Sequence, residues 1–91
     1  MKWLLLAEDN DDLRNQLAEA LRAHGYDVHT AADGNEVVQM LDMVTEMPAV
    51  VLLDLVMPRV GGREVLRAMR SVGRARHVPV VVLSGVGGTP L

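Results

Sequence analysis

Three apolar segments of the sequence end in polar side chains that can bind a cation or a phosphoryl group. Glu8 and Asp9 follow the first of them, Asp54 ends another, and Ser84 follows the last. If these segments are parallel strands of one sheet, their carboxyl ends lie where open α/β sheets bind ligands. With the first and third strands of the chain as neighbours, Glu8, Asp9 and Asp54 converge in one cleft.

The three acids together indicate a metal-assisted phosphoryl site. Clustered carboxylates repel one another and need a cation. Their hard oxygen atoms suit Mg²⁺, which keeps several waters and bridges to phosphate oxygens. A carboxylate can also act as a nucleophile and form an aspartyl-phosphate. The residues alone therefore favour a Mg²⁺ and phosphoryl site around Asp54, where the Ser84 hydroxyl could hydrogen-bond a phosphoryl oxygen.

Strand-like and helical patterns alternate along the chain and would position these groups. The strand-like segments are 3–7, 26–30, 49–53 and 79–83. All but the second are continuously apolar, which is typical of strands buried on both faces of a parallel sheet. Helical stripes lie between them, at Leu13, Leu17 and Leu21, at Val37, Val38, Leu41 and Val44, and at Val65, Leu66 and Met69. The order β-α-β-α-β-α-β predicts an α/β fold with helices on both faces of the sheet.

The composition excludes several other classes of protein. The 91 residues suit one domain, residues 1–91, and a hydrophobic content of 49% suits a globular fold. A net charge of −3 argues against a nucleic-acid surface, and the absence of Cys rules out disulfides and thiolate chemistry. The first apolar segment is too short to cross a membrane. We therefore expect a cytoplasmic protein that binds neither membrane nor nucleic acid.

The motifs around these acids resemble the receiver domains of two-component response regulators. The Asp-Leu-x-Met-Pro stretch followed by two glycines is the most specific of them. The resemblance covers nearly the whole chain in order and spacing, and four segments carry it: Leu4-Leu5-Leu6-Ala7-Glu8-Asp9-Asn10, Asp33-Gly34-x-Glu36-Val37, Leu52-Leu53-Asp54-Leu55-Val56-Met57-Pro58-x-x-Gly61-Gly62 and Val78-Pro79-Val80-Val81-Val82-Leu83-Ser84-Gly85.

The resemblance implies a function and a place for each site residue. Asp54 would accept a phosphoryl group from a histidine kinase or phosphotransfer domain, as a switch and not as a turnover enzyme. Glu8, Asp9, Asp54 and the backbone carbonyl of Val56 would hold Mg²⁺. Ser84 would be the switch hydroxyl. The fold would be flavodoxin-like, a three-layer parallel sheet with strand order 2-1-3-4 that lacks the family's final helix, strand and helix.

The sequence also departs from the family pattern. The family continues with a strand that ends in a lysine, whereas the single lysine here is Lys2, at the other end of the first strand. The apolar strand Val80–Leu83 is then expected at a sheet edge, which predicts a homodimer through this strand or an exchange of elements between chains. The alternative function is a non-signalling, truncated or engineered receiver fragment that acts as a dimerisation or structural module.

The remaining polar residues have simpler interpretations. Asp11 and Asp12 suit the start of a helix, where negative charge is favoured, and Asp33 suits a helix cap. The histidines His24, His29 and His77 share no metal-binding spacing and are expected at the surface. The arginines between 59 and 76 predict a solvated basic face. A nucleotide-binding half-domain is disfavoured because acids, and not a glycine-rich loop, follow the first strand.

Overall fold

The computed structural model describes residues 2–54, 61–71 and 73–83, and within them strands and helices alternate as the sequence predicts. The elements are β1 Trp3–Ala7, α1 Asp11–Ala23, β2 Asp27–Ala31, α2 Gly34–Met43, β3 Val50–Asp54, α3 Gly62–Ser71 and β4 Val80–Leu83, with a 3-10 turn at Gly73–Ala75. No helix in the described ranges is both long and apolar enough to cross a membrane.

The four strands form one parallel sheet in the order β2-β1-β3-β4. This confirms the α/β class and the predicted strand order 2-1-3-4. β2 lies on one side of β1 and β3 on the other, so the topological switch point of the sheet is between β1 and β3. Ala7 of β1 lies beside Leu53 of β3 in the ladder, so the two strands end at the same level.

Apolar side chains fill both faces of the sheet. Leu5 and Leu53 face one side, where they pack with Val37 of α2 and with Val65 of α3. Leu6 faces the other side, in a smaller cluster with Ala18 of α1 and Val28 of β2. The two central strands are thus buried on both faces, as their continuous apolar sequences predict.

Helix α1 differs in one respect from the predicted stripe. Ala18 is its buried residue, Leu17 and Leu21 are half-buried, and Leu13 is 42% exposed. A small alanine at the contact lets the helix lie close to the sheet, which turns Leu13 outwards. The predicted helix is confirmed, and its contact with the sheet lies at Leu17, Ala18 and Leu21 and not at Leu13.

Side-chain caps fix where the helices begin. Asn10 Oδ1 accepts a hydrogen bond of 2.9 Å from the Leu13 N–H and caps α1. Asp33 Oδ1 accepts a hydrogen bond of 3.0 Å from the Glu36 N–H, which confirms the predicted cap of α2. After α1 the chain turns at Gly25, whose φ of 91° is a left-handed conformation that favours glycine.

Candidate functional site

The three predicted acids meet at the carboxyl ends of β1 and β3. Glu8 and Asp9 follow the last residue of β1, and Asp54 is the last residue of β3. Each offers a carboxylate oxygen, and these atoms all lie within 4.8 Å of one another. Glu8 and Asp54 are only 4% and 3% exposed, whereas Asp9 faces solvent. The cluster is therefore open to water on the side of Asp9.

Burial of this cluster changes the acidity of Glu8. The pKa of Glu8 is raised from 4.5 to about 7, and desolvation by burial is the largest cause. The neighbouring carboxyl groups of Asp9 and Asp54 contribute to this rise, while a 3.1 Å hydrogen bond from the Asn10 N–H to Glu8 Oε2 opposes it. Near neutral pH the Glu8 carboxyl is thus present in both its protonated and its charged form, because burial and the neighbouring carboxyl groups disfavour another negative charge.

Backbone hydrogen bonds hold the turn from Glu8 to Asn10 in place. The Glu8 N–H donates to the carbonyl of Ala31, the last residue of β2, at 3.1 Å, which extends the β1–β2 ladder one residue past the end of β1. The Asn10 carbonyl accepts the first helical bond from the Arg14 N–H at 2.8 Å. The turn that carries two of the acids is therefore tied to the sheet at one end and to α1 at the other.

The donor set fits a hard divalent cation. All three groups are carboxylates, and their oxygen atoms are close enough to surround one ion. Mg²⁺ is bound in proteins by a few carboxylates and keeps several of its waters. Asp9 faces solvent, which can supply those waters. The residues present thus suit Mg²⁺, which keeps part of its water shell, better than a cation that the protein must enclose completely.

Two of the predicted site residues, Val56 and Ser84, lie outside the described residues. Their roles as carbonyl ligand and switch hydroxyl stay predictions. The three histidines are all exposed, as expected. Sequence reasoning missed Arg14, whose guanidinium donates a 3.0 Å hydrogen bond to the Glu8 carbonyl oxygen. The available signal was the acid three residues earlier, Asp11, which is spaced for an ion pair at the start of a helix.

A groove among the described residues lies elsewhere. It has a volume of about 450 Å³ and is lined by Trp3, His29, Met40 and Met43, among others. Trp3 begins β1, so this groove lies towards the amino-terminal ends of the strands. The acid cluster lies at their carboxyl ends. A site for a hydrated ion needs converging oxygens more than volume, so the groove does not compete with the cluster as a metal site.

Comparison with known proteins identifies similar chains of one kind. A family model described as the response regulator receiver domain matches residues 4–90. The chain is 39% identical over 87 residues to the transcriptional regulatory protein CpxR homolog of Haemophilus influenzae, and the matched region covers 96% of this chain and 36% of that protein. It is 36% identical over 81 residues to the response regulator MprA of Mycolicibacterium vanbaalenii, covering 89% and 33%. The chain spans about a third of the length of these curated relatives.

Solved structures give the same result. The bacteriophytochrome response regulator AtBRR matches with a TM-score of 0.82 and 35% identity, over 96% of this chain and 69% of that one. The chemotaxis response regulator CheY4 of Vibrio cholerae matches with a TM-score of 0.86 and 27% identity, over 97% and 72%. The fold and the motifs thus agree with those of known receiver structures.

Proposed function

The chain belongs to the response regulator receiver domain family, and from this premise we propose that it accepts a phosphoryl group on Asp54 in a Mg²⁺-dependent reaction. Receiver domains are phospho-accepting switches and not turnover enzymes. The observation that carries the proposal is the meeting of the buried Asp54 carboxylate with those of Glu8 and Asp9, all within 4.8 Å.

Each acid has its own task in this proposal. Glu8, Asp9 and Asp54, with the carbonyl of Val56, would hold Mg²⁺, which when bound offsets their negative charge and that of the incoming phosphoryl oxygens. Asp54 is the nucleophile because it is ordered by the β3 ladder and buried at its end. Glu8 is less suited to attack, since a carboxyl with a pKa of about 7 is partly protonated at neutral pH.

The chemical step is a transfer between two residues of different proteins. A bond forms between an Asp54 carboxylate oxygen and phosphorus as the nitrogen–phosphorus bond of a phosphohistidine breaks, and the leaving imidazole takes up a proton. Response regulators partner with histidine kinases or phosphotransfer proteins, and we propose a partner of that class here. The Ser84 hydroxyl would hydrogen-bond the transferred group, and a cytoplasmic location remains a prediction.

Phosphorylation by a small donor tests the assignment of Asp54. The wild-type chain is incubated with acetyl phosphate and Mg²⁺, and intact-mass spectrometry should show one added phosphoryl group. No group should be added when a chelator is present during the incubation. Asp54→Asn should show none. Asp33→Asn is the matched control, because Asp33 is also buried but caps α2, a role that asparagine can fill. Equal labelling of Asp54→Asn, or no labelling of a folded wild-type chain, would refute the proposal.

A second candidate function, a self-association module, rests on β4. Within the described residues β4 pairs with β3 alone, and Val81 and Val82 are 49% and 36% exposed. An exposed apolar strand with one free edge invites pairing with another chain. We propose that two chains associate through Val80–Leu83 or exchange elements there, with or without phosphorylation at the acid cluster.

Light scattering of two lysine variants tests this association. Val81→Lys should convert a dimer into a monomer because it places a charge in the paired strand. Met43→Lys is the control, since Met43 is an equally apolar residue, 82% exposed, on α2 and away from β4. A wild-type chain that stays monomeric at high concentration would contradict the association.

A further inference from the structure

One cation lies next to the acid cluster and contributes to none of the steps above. Arg14 is in the first turns of α1, and its side chain is only 16% exposed. Its Nη1 donates a hydrogen bond of 3.0 Å to the carbonyl oxygen of Glu8, and its Nη2 lies 2.6 Å from Asp11 Oδ1. The guanidinium therefore joins the backbone of the acid-bearing turn to the helix that follows it.

The carbonyl that Arg14 contacts belongs to the peptide between two of the acids. The Glu8 carbonyl carbon is bonded to the Asp9 nitrogen, so a rotation of this peptide would move Glu8 and Asp9 relative to each other. A part-buried carbonyl that loses its donor also seeks another partner, because an unsatisfied acceptor is costly. Arg14 thus limits the rotation that would separate the two carboxylates.

The pairing with Asp11 decides how Arg14 acts. An unpaired cation near the cluster would oppose the binding of Mg²⁺, whereas the Asp11–Arg14 pair is close to neutral. Its influence is therefore geometric and not electrostatic. A guanidinium suits this task because its planar fork can serve a carbonyl and a carboxylate at once, which one ammonium group does poorly.

We propose that Arg14 is a positioning residue for the metal site, which holds the Glu8–Asp9 peptide so that both carboxylates stay beside Asp54. This inference rests on the proposed function, because it needs Mg²⁺ to bind at the acid cluster. Outer partners that orient metal ligands typically contribute about 10-fold or more to metal affinity, and we expect a loss of that size when Arg14 is replaced.

Arg22 provides a matched control on the same helix. Its Nη2 donates a hydrogen bond of 2.7 Å to the carbonyl oxygen of Val28 in β2. This bond is of the same kind as the one from Arg14, but its acceptor is at the second position of β2 and not in the acid-bearing turn. A merely structural role for Arg14 would make the two arginines equivalent in every measurement.

The test compares Arg14→Met and Arg22→Met by titration calorimetry with MgCl₂, under conditions where urea unfolding shows that both are folded. Arg14→Met should bind Mg²⁺ about 10-fold more weakly than wild type, and Arg22→Met should bind it as wild type does. Arg14→Lys keeps the charge and one hydrogen bond, and its affinity should lie between those of wild type and Arg14→Met. It carries the test if the methionine variant fails to fold.

The amide signal of Asn10 gives a second readout in metal-free protein, because this N–H donates to Glu8 Oε2. Its chemical shift should move in both Arg14 variants and stay in place in Arg22→Met. Wild-type affinity in the Arg14 variants, or an equal loss in Arg22→Met, overturns the role of Arg14 alone. A wild-type chain that binds no Mg²⁺ overturns the metal site itself, so the two failures are distinguishable.

Discussion

Replacement of Glu8 by glutamine should remove much of the pH dependence of stability in the metal-free protein. Burial, with the nearby carboxyl groups of Asp9 and Asp54, raises the pKa of Glu8 from 4.5 to about 7. Glutamine has nearly the same shape but never carries a charge. Glu8→Gln therefore keeps the packing of a residue that is only 4% exposed and removes its titration.

The sign of the effect follows from which state holds the proton. Between pH 4.5 and about 7 the folded chain keeps a proton on Glu8 that the unfolded chain has released. The free energy of unfolding must then fall as the pH rises through this window. The rise in pKa corresponds to about 3 kcal/mol at about 1.4 kcal/mol per unit, and screening by water on the side of Asp9 reduces this to about 1–3 kcal/mol.

Urea unfolding in the presence of a chelator measures this effect. The pH is varied from about 5 to 8, which covers most of the predicted window. Fluorescence of the single tryptophan is a suitable signal, because Trp3 is buried at the amino-terminal end of β1 and so reports global unfolding. The wild-type chain should lose about 1–3 kcal/mol across the window. Glu8→Gln should lose little and be the more stable of the two above pH 7.

Mg²⁺ should reverse this order. The wild-type chain gains stability from an ion that binds only the folded state, whereas Glu8→Gln lacks one charged ligand and gains less. Asp33→Asn, which changes a buried acid outside the cluster, should gain as much stability from Mg²⁺ as the wild-type chain does. Parallel pH profiles for wild type and Glu8→Gln would refute the reasoning, because they would mean that burial does not shift the titration of Glu8.

Substitutions at three positions separate the site from its scaffold. Asp9→Asn should weaken Mg²⁺ binding in calorimetry by tenfold or more, about 1.4 kcal/mol, and change urea stability by less than about 0.5 kcal/mol because the residue is exposed. Asp33→Ala should cost about 1 kcal/mol through loss of the α2 cap, and Asp33→Asn close to nothing in the same unfolding assay. Leu53→Ala should cost about 2–5 kcal/mol, since Leu53 is fully buried; a loss below 1 kcal/mol would contradict its central place in the core.

Much of the fold could be predicted because its central strands are short, continuously apolar segments of the sequence. The continuous apolar segments that became β1 and β3 could be buried only on both faces, and Asp54 stood at the end of one of them. The pairing of β1 with β3, by contrast, could not be predicted from the residues alone. No periodicity in the sequence indicates which strands pair, and the order came from the resemblance to receiver domains.

Other features could not be predicted because they depend on tertiary contacts. The exposure of Leu13 is set by the approach of α1 to the sheet at Ala18, which a helical stripe does not encode. The contact from Arg14 to the Glu8 carbonyl ends on a backbone atom, and every residue has such an atom. The start of β4 is a further case. Pro79 is the first residue of the predicted segment 79–83, but it lacks an N–H and lies outside the strand. Its carbonyl still accepts a 3.0 Å hydrogen bond from the Val51 N–H.

The rigidity of the scaffold is what makes the acid cluster a site for cations. Ala7 and Leu53, the residues just before the acids of β1 and of β3, are fully buried and paired in the ladder. The backbones that lead into Glu8 and Asp54 therefore cannot move apart to relieve the repulsion without disrupting the core. Relief must come from a proton on Glu8 or from a bound cation. The two compete for the same charge, so Mg²⁺ affinity should fall as the pH drops below about 7, with a slope that approaches tenfold per pH unit.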